Sequence, residues 1–185
     1  MSELLTVSKE TGLEAYNYAK KRLDFEYDRF HLPTSKQRLS MITMGTIGQL
    51  VFKKYLDDQN IQFDFQLQYG QYDDYDFILN EKIVEIKSSG YKNQNEWRNL
   101  NLIYNASQLE HAFNKKYFCS VQMFLNGYDK VTPTFEYQKC DTAIISGWLE
   151  IDVIAKSRPT KLRFGEAYLI PLNELKAIDL LIKRQ

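Results

Sequence analysis

The stretch Tyr75 to Ser89, YDFILNEKIVEIKSS, constrains the fold more than any other part of the chain. β-Branched and aromatic residues flank a polar pair: Tyr75, Phe77 and Ile78 before Asn80-Glu81, then Ile83, Val84 and Ile86 after it. That pattern is a hairpin signature. Asn80-Glu81 is not the favoured Asn-Gly, but asparagine tolerates the left-handed backbone that a two-residue hairpin turn needs. With this pair at the tip, Leu79 faces Lys82, Phe77 faces Val84, Asp76 faces Glu85 and Asp74 faces Lys87. A slip of one residue would put Asp73 or Asp74 in the place of Asp76.

The register sets up a charge problem. Directly opposed side chains in a hairpin lie about 4.5–5.5 Å apart, and like charges there are destabilising. Strand alternation puts Glu85 and Lys87 on one face and Phe77, Leu79, Val84 and Ile86 on the other, buried one. An Asp74–Lys87 ion pair would explain those two residues as a structural feature, but it leaves Asp76 opposite Glu85 unrelieved. A divalent cation relieves it, since Mg²⁺ is held by one or two carboxylates plus waters and phosphate oxygens. Two carboxylates and an ammonium on one patch point to metal-assisted hydrolysis of a phosphate ester.

Asp76, eight intervening residues and then Glu85-Ile86-Lys87 resemble the signature of the PD-(D/E)XK nuclease superfamily, with Tyr75 standing where a proline is usual. The resemblance implies an α/β fold: a restriction-endonuclease-like α-β-β-β-α-β core with a mixed central sheet flanked by helices. It implies that Asp76, Glu85 and the backbone carbonyl of Ile86 bind Mg²⁺, for which Mn²⁺ substitutes. Lys87 would orient or deprotonate the attacking water, or stabilise the phosphorane-like charge. The implied activity is DNA cleavage leaving a 5′-phosphate and a 3′-hydroxyl, in an endonuclease of restriction, repair or mobile-element type. Gln49 stands where many members carry a helix glutamate, and Gln108 matches a glutamine that lies near the metal in several branches. Asp74, Gln49 and Gln108 are therefore secondary site candidates. Cutting both strands would call for a homodimer or two binding events. The alternative is a nuclease-like fold used as a non-catalytic nucleic-acid-binding or assembly module, favoured by the missing helix glutamate and the zero net charge. An enzyme acting on RNA or a nucleotide is a third reading.

The chain of 185 residues suits one domain, residues 1–185, with a core over about 40–125 and additions at 8–30 and 140–185. Its 24 basic and 24 acidic residues exclude a global basic field, so DNA binding must rest on local patches. Candidates are Lys53-Lys54, Lys92 with Arg98, Lys115-Lys116 and the Arg158/Lys161/Arg163 group. Neither Cys119 and Cys140 nor His31 and His111 have zinc-site spacing. Cys119, within YFCSVQMFL, is expected to be a small buried hydrophobe. No signal segment or membrane-length apolar run is present, which suggests a cytoplasmic protein without a membrane partner.

Along the chain, Leu13, Tyr16, Tyr18, Ala19, Leu23 and Tyr27 predict a helix over residues 8–30, broken at Pro33 beside His31. A second helix is expected from Ser35 or Ser40 to Asp58, with Ile47, Leu50, Val51 and Tyr55 on one face and Gly45 and Gly48 admitting a close neighbour. Residues 62–68 alternate as a strand before a turn at Tyr69-Gly70-Gln71, and the central hairpin is expected to end at Ser88-Ser89-Gly90. A loop over 90–98, a helix from Leu100 or Asn105 to Lys115, and a buried strand over Tyr117–Leu125 follow. Residues 141–154 predict a strand pair bent at Gly147, residues 168–171 an edge strand, and Asn173 the cap of a final helix bearing Leu175, Ile178, Leu181 and Ile182.

Overall fold

The computed structural model describes residues 2–23, 34–67, 74–93, 96–162 and 165–183. Tyr27, His31, Pro33, the turn at residues 69–71, Asp73 and Arg163 lie outside them. In chain order come β1 (Glu3–Thr6), α1 (Lys9–Leu23), α2 (Ser35–Asp58), β2 (Asp64–Phe65), β3 (Phe77–Leu79) and β4 (Lys82–Tyr91). A 3₁₀ turn at Glu96–Asn99 leads to β5 (Asn101–Asn105), α3 (Ala106–Asn114), β6 (Tyr117–Asn126), β7 (Tyr128–Asp129) and β8 (Thr134–Phe135). The chain ends with β9 (Thr142–Glu150), α4 (Ile151–Ile154), β10 (Thr160–Leu162), β11 (Gly165–Pro171) and α5 (Asp179–Ile182).

Among the described residues the main sheet has six strands, in the order β1-β9-β6-β4-β3-β2. β2, β3 and β4 are successive antiparallel neighbours, whereas β4 and β6 run parallel. The sheet is therefore mixed, and the molecule belongs to the α/β class. The hairpin has the expected register, Phe77 to Val84 and Leu79 to Lys82. Asn80 (φ 49°) and Glu81 (φ 62°) both take the left-handed backbone of the tight turn that matches strand twist.

Alternation along β3 and β4 separates the two faces. Phe77, Leu79, Val84 and Ile86 join Val121, Met123 and Trp148 in the core beneath Ile47, Val51 and Phe52 of α2. The opposite face meets α3, α4 and the smaller sheet β10-β11-β5, where Leu149 packs with Leu102, Tyr104, Leu109, Ile151 and Ile170. Further along that face Tyr91, Phe124 and Ile144 form a separate cluster, covered by Trp97, Leu100 and Leu172.

The helix over 35–58 forms as read, capped by Thr34, whose hydroxyl accepts the Gln37 N–H at 3.2 Å. Cys119 and Cys140 are buried free thiols. Several boundaries differ from the sequence reading. α1 begins at Lys9, and residues 24–30 of the expected helix lie outside the described residues; Gly12, Ala15, Tyr18 and Ala19 are buried in it, and Leu13 is half exposed. Of the expected 62–68 strand, Gln68 lies outside the described residues, and among the rest only Asp64–Phe65 takes strand form. β4 continues through Ser88-Ser89-Gly90 to Tyr91, because its parallel partner β6 supplies hydrogen bonds that far. Of the two expected helix starts, Asn105 is the cap of α3, whereas Leu100 is not in the helix: residues 101–105 form a strand that pairs with β11. Residues 142–150 form one strand, with Ser146 bulging beside Gly147, and α4 follows. Gly147 (φ 143°) is required there, since an added Cβ would lie 2.5 Å from the Lys176 carbonyl oxygen. β11 is central in its sheet, not an edge. Asn173 lies in a 3₁₀ turn, and the last helix begins only at Asp179.

Candidate active site

The hairpin ladder stops at Phe77–Val84, so Asp76 does not sit opposite Glu85 as a ladder pair. Its main-chain carbonyl accepts the Gln66 N–H at 3.2 Å instead. Its side chain turns inward, and one carboxylate oxygen accepts the Ile86 N–H at 2.7 Å. In a continued ladder that N–H would meet Tyr75. The Asp76 carboxylate thus caps β4 at the point where Glu85-Ile86-Lys87 passes. An extended residue directs its N–H and C=O to the same side, so the Ile86 carbonyl also faces Asp76.

The second Asp76 oxygen accepts the Gln49 Nε2–H at 2.6 Å. Gln49 reaches it because α2 lies very close to β4. A Cβ added to the neighbouring Gly48 would come 2.0 Å from Ser88 Oγ and 3.2 Å from Ser88 Cβ. Gly45, the other glycine of this helix, has nothing within 4 Å of such a Cβ and plays no comparable part.

Glu85 and Lys87 project from the other face of β4. Lys87 Nζ donates to Glu85 Oε1 at 2.7 Å, with side-chain exposures of only 15 and 17 %. The Tyr104 hydroxyl donates to Glu85 Oε2, and Lys87 Nζ sits 4.3 Å from the centre of the Tyr104 ring. Burial and then the Glu85 charge push the Asp76 carboxyl up to about 7, against the Ile86 N–H, Lys87 and Gln49. Burial and Glu85 push the Tyr104 phenol well above its ordinary range, so it remains a donor.

Asp74 does not meet Lys87. It pairs with Lys115 at 2.7 Å on the surface, because Lys87 is held by Glu85. Gln108 does not reach the site: its Oε1 accepts the Asn105 N–H at 3.4 Å, closing the first turn of α3. Of the basic candidates, Lys53 pairs with Asp57 at 2.8 Å, while Lys54, Lys92 and Arg98 are exposed.

Compared with known proteins, the chain matches no family model, no curated protein and no solved structure. Among the described residues no group of three or more His, Cys, Asp or Glu side chains gathers as a metal cluster, and no helix is long and apolar enough to cross a membrane.

The donor set nonetheless suits a hard divalent cation. Two carboxylates close enough to repel, with a backbone carbonyl beside them, supply oxygen ligands of the type Mg²⁺ takes. Each carboxylate oxygen has a lone pair left beyond the hydrogen bond it accepts.

Tyr104 is the site residue that sequence reasoning missed. The only signal was the alternation of Leu102 and Tyr104 in NLIYN, which marks a buried strand but not its partner. The fully buried Ser120 and Gln122 were missed as well. They sit beside Glu85 and Lys87 on β6.

Proposed function

We propose that this protein is a metal-dependent deoxyribonuclease of the PD-(D/E)XK kind. The observation that carries the proposal is the placement of Asp76 against the Ile86 N–H, between a partner on α2 and the part-buried Glu85–Lys87 pair. The order α2-β2-β3-β4-α3-β6, with β4 and β6 parallel, supports an α-β-β-β-α-β core into which β5 is inserted.

Asp76, Glu85 and the Ile86 carbonyl would hold the cation. Bound there, Mg²⁺ or Mn²⁺ would supply Lewis acidity toward a phosphate oxygen and lower the pKa of a coordinated water. Gln49 and the Ile86 N–H fix the Asp76 carboxylate. Tyr104 and Lys87 fix Glu85 from opposite oxygens, so neither ligand needs to reorganise for catalysis. Lys87 brings a positive charge to the patch where the phosphate would gain negative charge. Its ammonium, 2.7 Å from Glu85 Oε1, would lie near a water held beside Glu85.

A second reading has an observation of its own. Every carboxylate oxygen of the pair already has a protein donor, so the charge set holds together without metal. A nuclease-like fold serving as a DNA-binding module would behave this way.

Cleavage decides between them. Supercoiled plasmid, linear duplex, single-stranded and branched DNA are incubated with Mg²⁺ or Mn²⁺, wild type beside Asp76→Ala and Glu85→Ala. Metal-dependent cutting lost in both variants is the expected result. DNA binding without cutting of any substrate would leave the module.

A further inference from the structure

The face of the sheet that carries Glu85 and Lys87 holds a polar line between two apolar clusters. Lys87 on β4 is registered with Gln122 on β6, and Gln122 with Gly147 on β9, next to Ser146. Gln122 is fully buried. Its Nε2 donates to the Met123 carbonyl at 2.6 Å, while its Oε1 has no partner. The Ser146 hydroxyl is also buried and without a partner. A buried polar atom left unpaired costs free energy, so two in succession on one line call for a reason.

The line runs into a cleft of about 370 Å³ lined by Trp97, Arg98, Ser146, Leu172, Asn173 and Leu175. The cleft is shallow and open to solvent, and its mixed lining suits a planar heterocycle laid across it. Trp97 is half-buried and anchored against Phe124, with ring centres 6.2 Å apart. The Arg98 guanidinium lies 5.5 Å from the Trp97 ring centre, is exposed, and makes no ion pair among the described residues. An indole, a planar guanidinium and two leucine side chains offer stacking surface. Asn173, which is exposed, offers hydrogen bonds to a base edge. Neighbouring strands are about 4.8 Å apart, so two strand spacings of about 10 Å separate Lys87 from the cleft wall. That is roughly three stacked nucleotide steps at about 3.4 Å each.

We infer that this cleft takes an unpaired nucleotide of the DNA strand being cut, its base against Trp97 and the leucines and its phosphate on Arg98. The position of this nucleotide relative to the cut rests on the nuclease reading; its binding does not. The preferred substrate is then single-stranded or branched DNA, because a base held in a duplex stack cannot enter. Stacking on aromatic and guanidinium planes is the usual means of holding unpaired bases.

The test is fluorescence anisotropy of a labelled single-stranded oligonucleotide, a flap and a blunt duplex, all without divalent metal. The proteins are wild type, Trp97→Ala, Trp97→Phe, Arg98→Ala and Lys87→Ala, each checked for an unchanged melting temperature. Wild type should bind the single strand and the flap more tightly than the duplex. Trp97→Ala should weaken that binding about tenfold or more, and Trp97→Phe should keep most of it. Arg98→Ala, on an exposed side chain, should weaken binding and lower the salt slope by about one. Equal affinity for duplex and single strand, or single-strand affinity unchanged in both Trp97→Ala and Arg98→Ala, overturns the inference. Cutting by wild type together with binding that ignores Trp97 removes the cleft and leaves the nuclease. Trp97-dependent binding with no cutting removes the nuclease and leaves the cleft.

Discussion

At the scale of single residues, Asp76 is where charge is held under most stress. Its folded value of about 7 stands above the usual carboxylate value near 4. Between those pH values the native state binds more protons than the unfolded chain. The stabilising contribution of this group is therefore complete below about pH 4 and is lost as pH rises through 7, by up to about 1.4 kcal/mol per pH unit. Asp76→Asn should accordingly raise the metal-free melting temperature at pH 8, leave it nearly unchanged at pH 5, and flatten the profile between. Melting curves over pH 4 to 9 check this, and a variant less stable than wild type at pH 8 would contradict it. Metal should reverse the pattern in wild type, since the cation binds the ionised carboxylate. Tyr104 makes a different prediction. Tyr104→Phe removes one charged hydrogen bond, worth about 1.5–3 kcal/mol, while the ring beneath Lys87 stays. Cleavage should slow about ten- to hundredfold if that bond holds Glu85 in the transition state. An unchanged rate would show Tyr104 to be only a core residue.

At the scale of elements, the site depends on how closely α2 approaches β4. Gly48→Ala forces Ser88 to give way, an overpacking of the kind that costs about 1–3 kcal/mol. The shift would also carry Gln49 away from Asp76, so stability and cleavage should fall together. Ser88→Gly in the same chain opens the space and should restore most of both, with a coupling energy measurable by a double-mutant cycle. Additive losses would refute the contact. What was legible in the sequence follows the same division. Hairpin register, the α2 helix and the two faces of β4 come from periodicities of two and 3.6 that neighbouring residues settle among themselves. The end of the β3 ladder does not. Asp76 leaves it because of Gln66, Ile86 and Gln49, partners that alternation along one strand cannot name. β1 was missed for the same reason, since four residues, ELLT, become a strand only through pairing with β9. Of the two helix starts read, Asn105 holds as the cap of α3 and Leu100 fails, because residues 101–105 become a strand by pairing with β11, far along the chain.

At the scale of the whole molecule, zero net charge means that no long-range field draws DNA to the surface. On the proposed function, affinity has to come from local contacts, and turnover from the few part-buried charges around β4. Among these Lys87 separates a reaction centre from a well-satisfied structural cluster, because removing it leaves both proposed metal ligands in place. The most direct measurement is therefore made on Lys87→Ala, with plasmid cleavage and Mn²⁺-dependent melting recorded on the same sample. Metal that binds the native state raises the melting temperature by mass action. The account predicts that this rise survives in Lys87→Ala, while cleavage drops by about 10²–10⁴, the span of a positioned acid–base or charge-stabilising group. Cleavage at the wild-type rate in Lys87→Ala, or no metal-induced rise even in wild type, would contradict it.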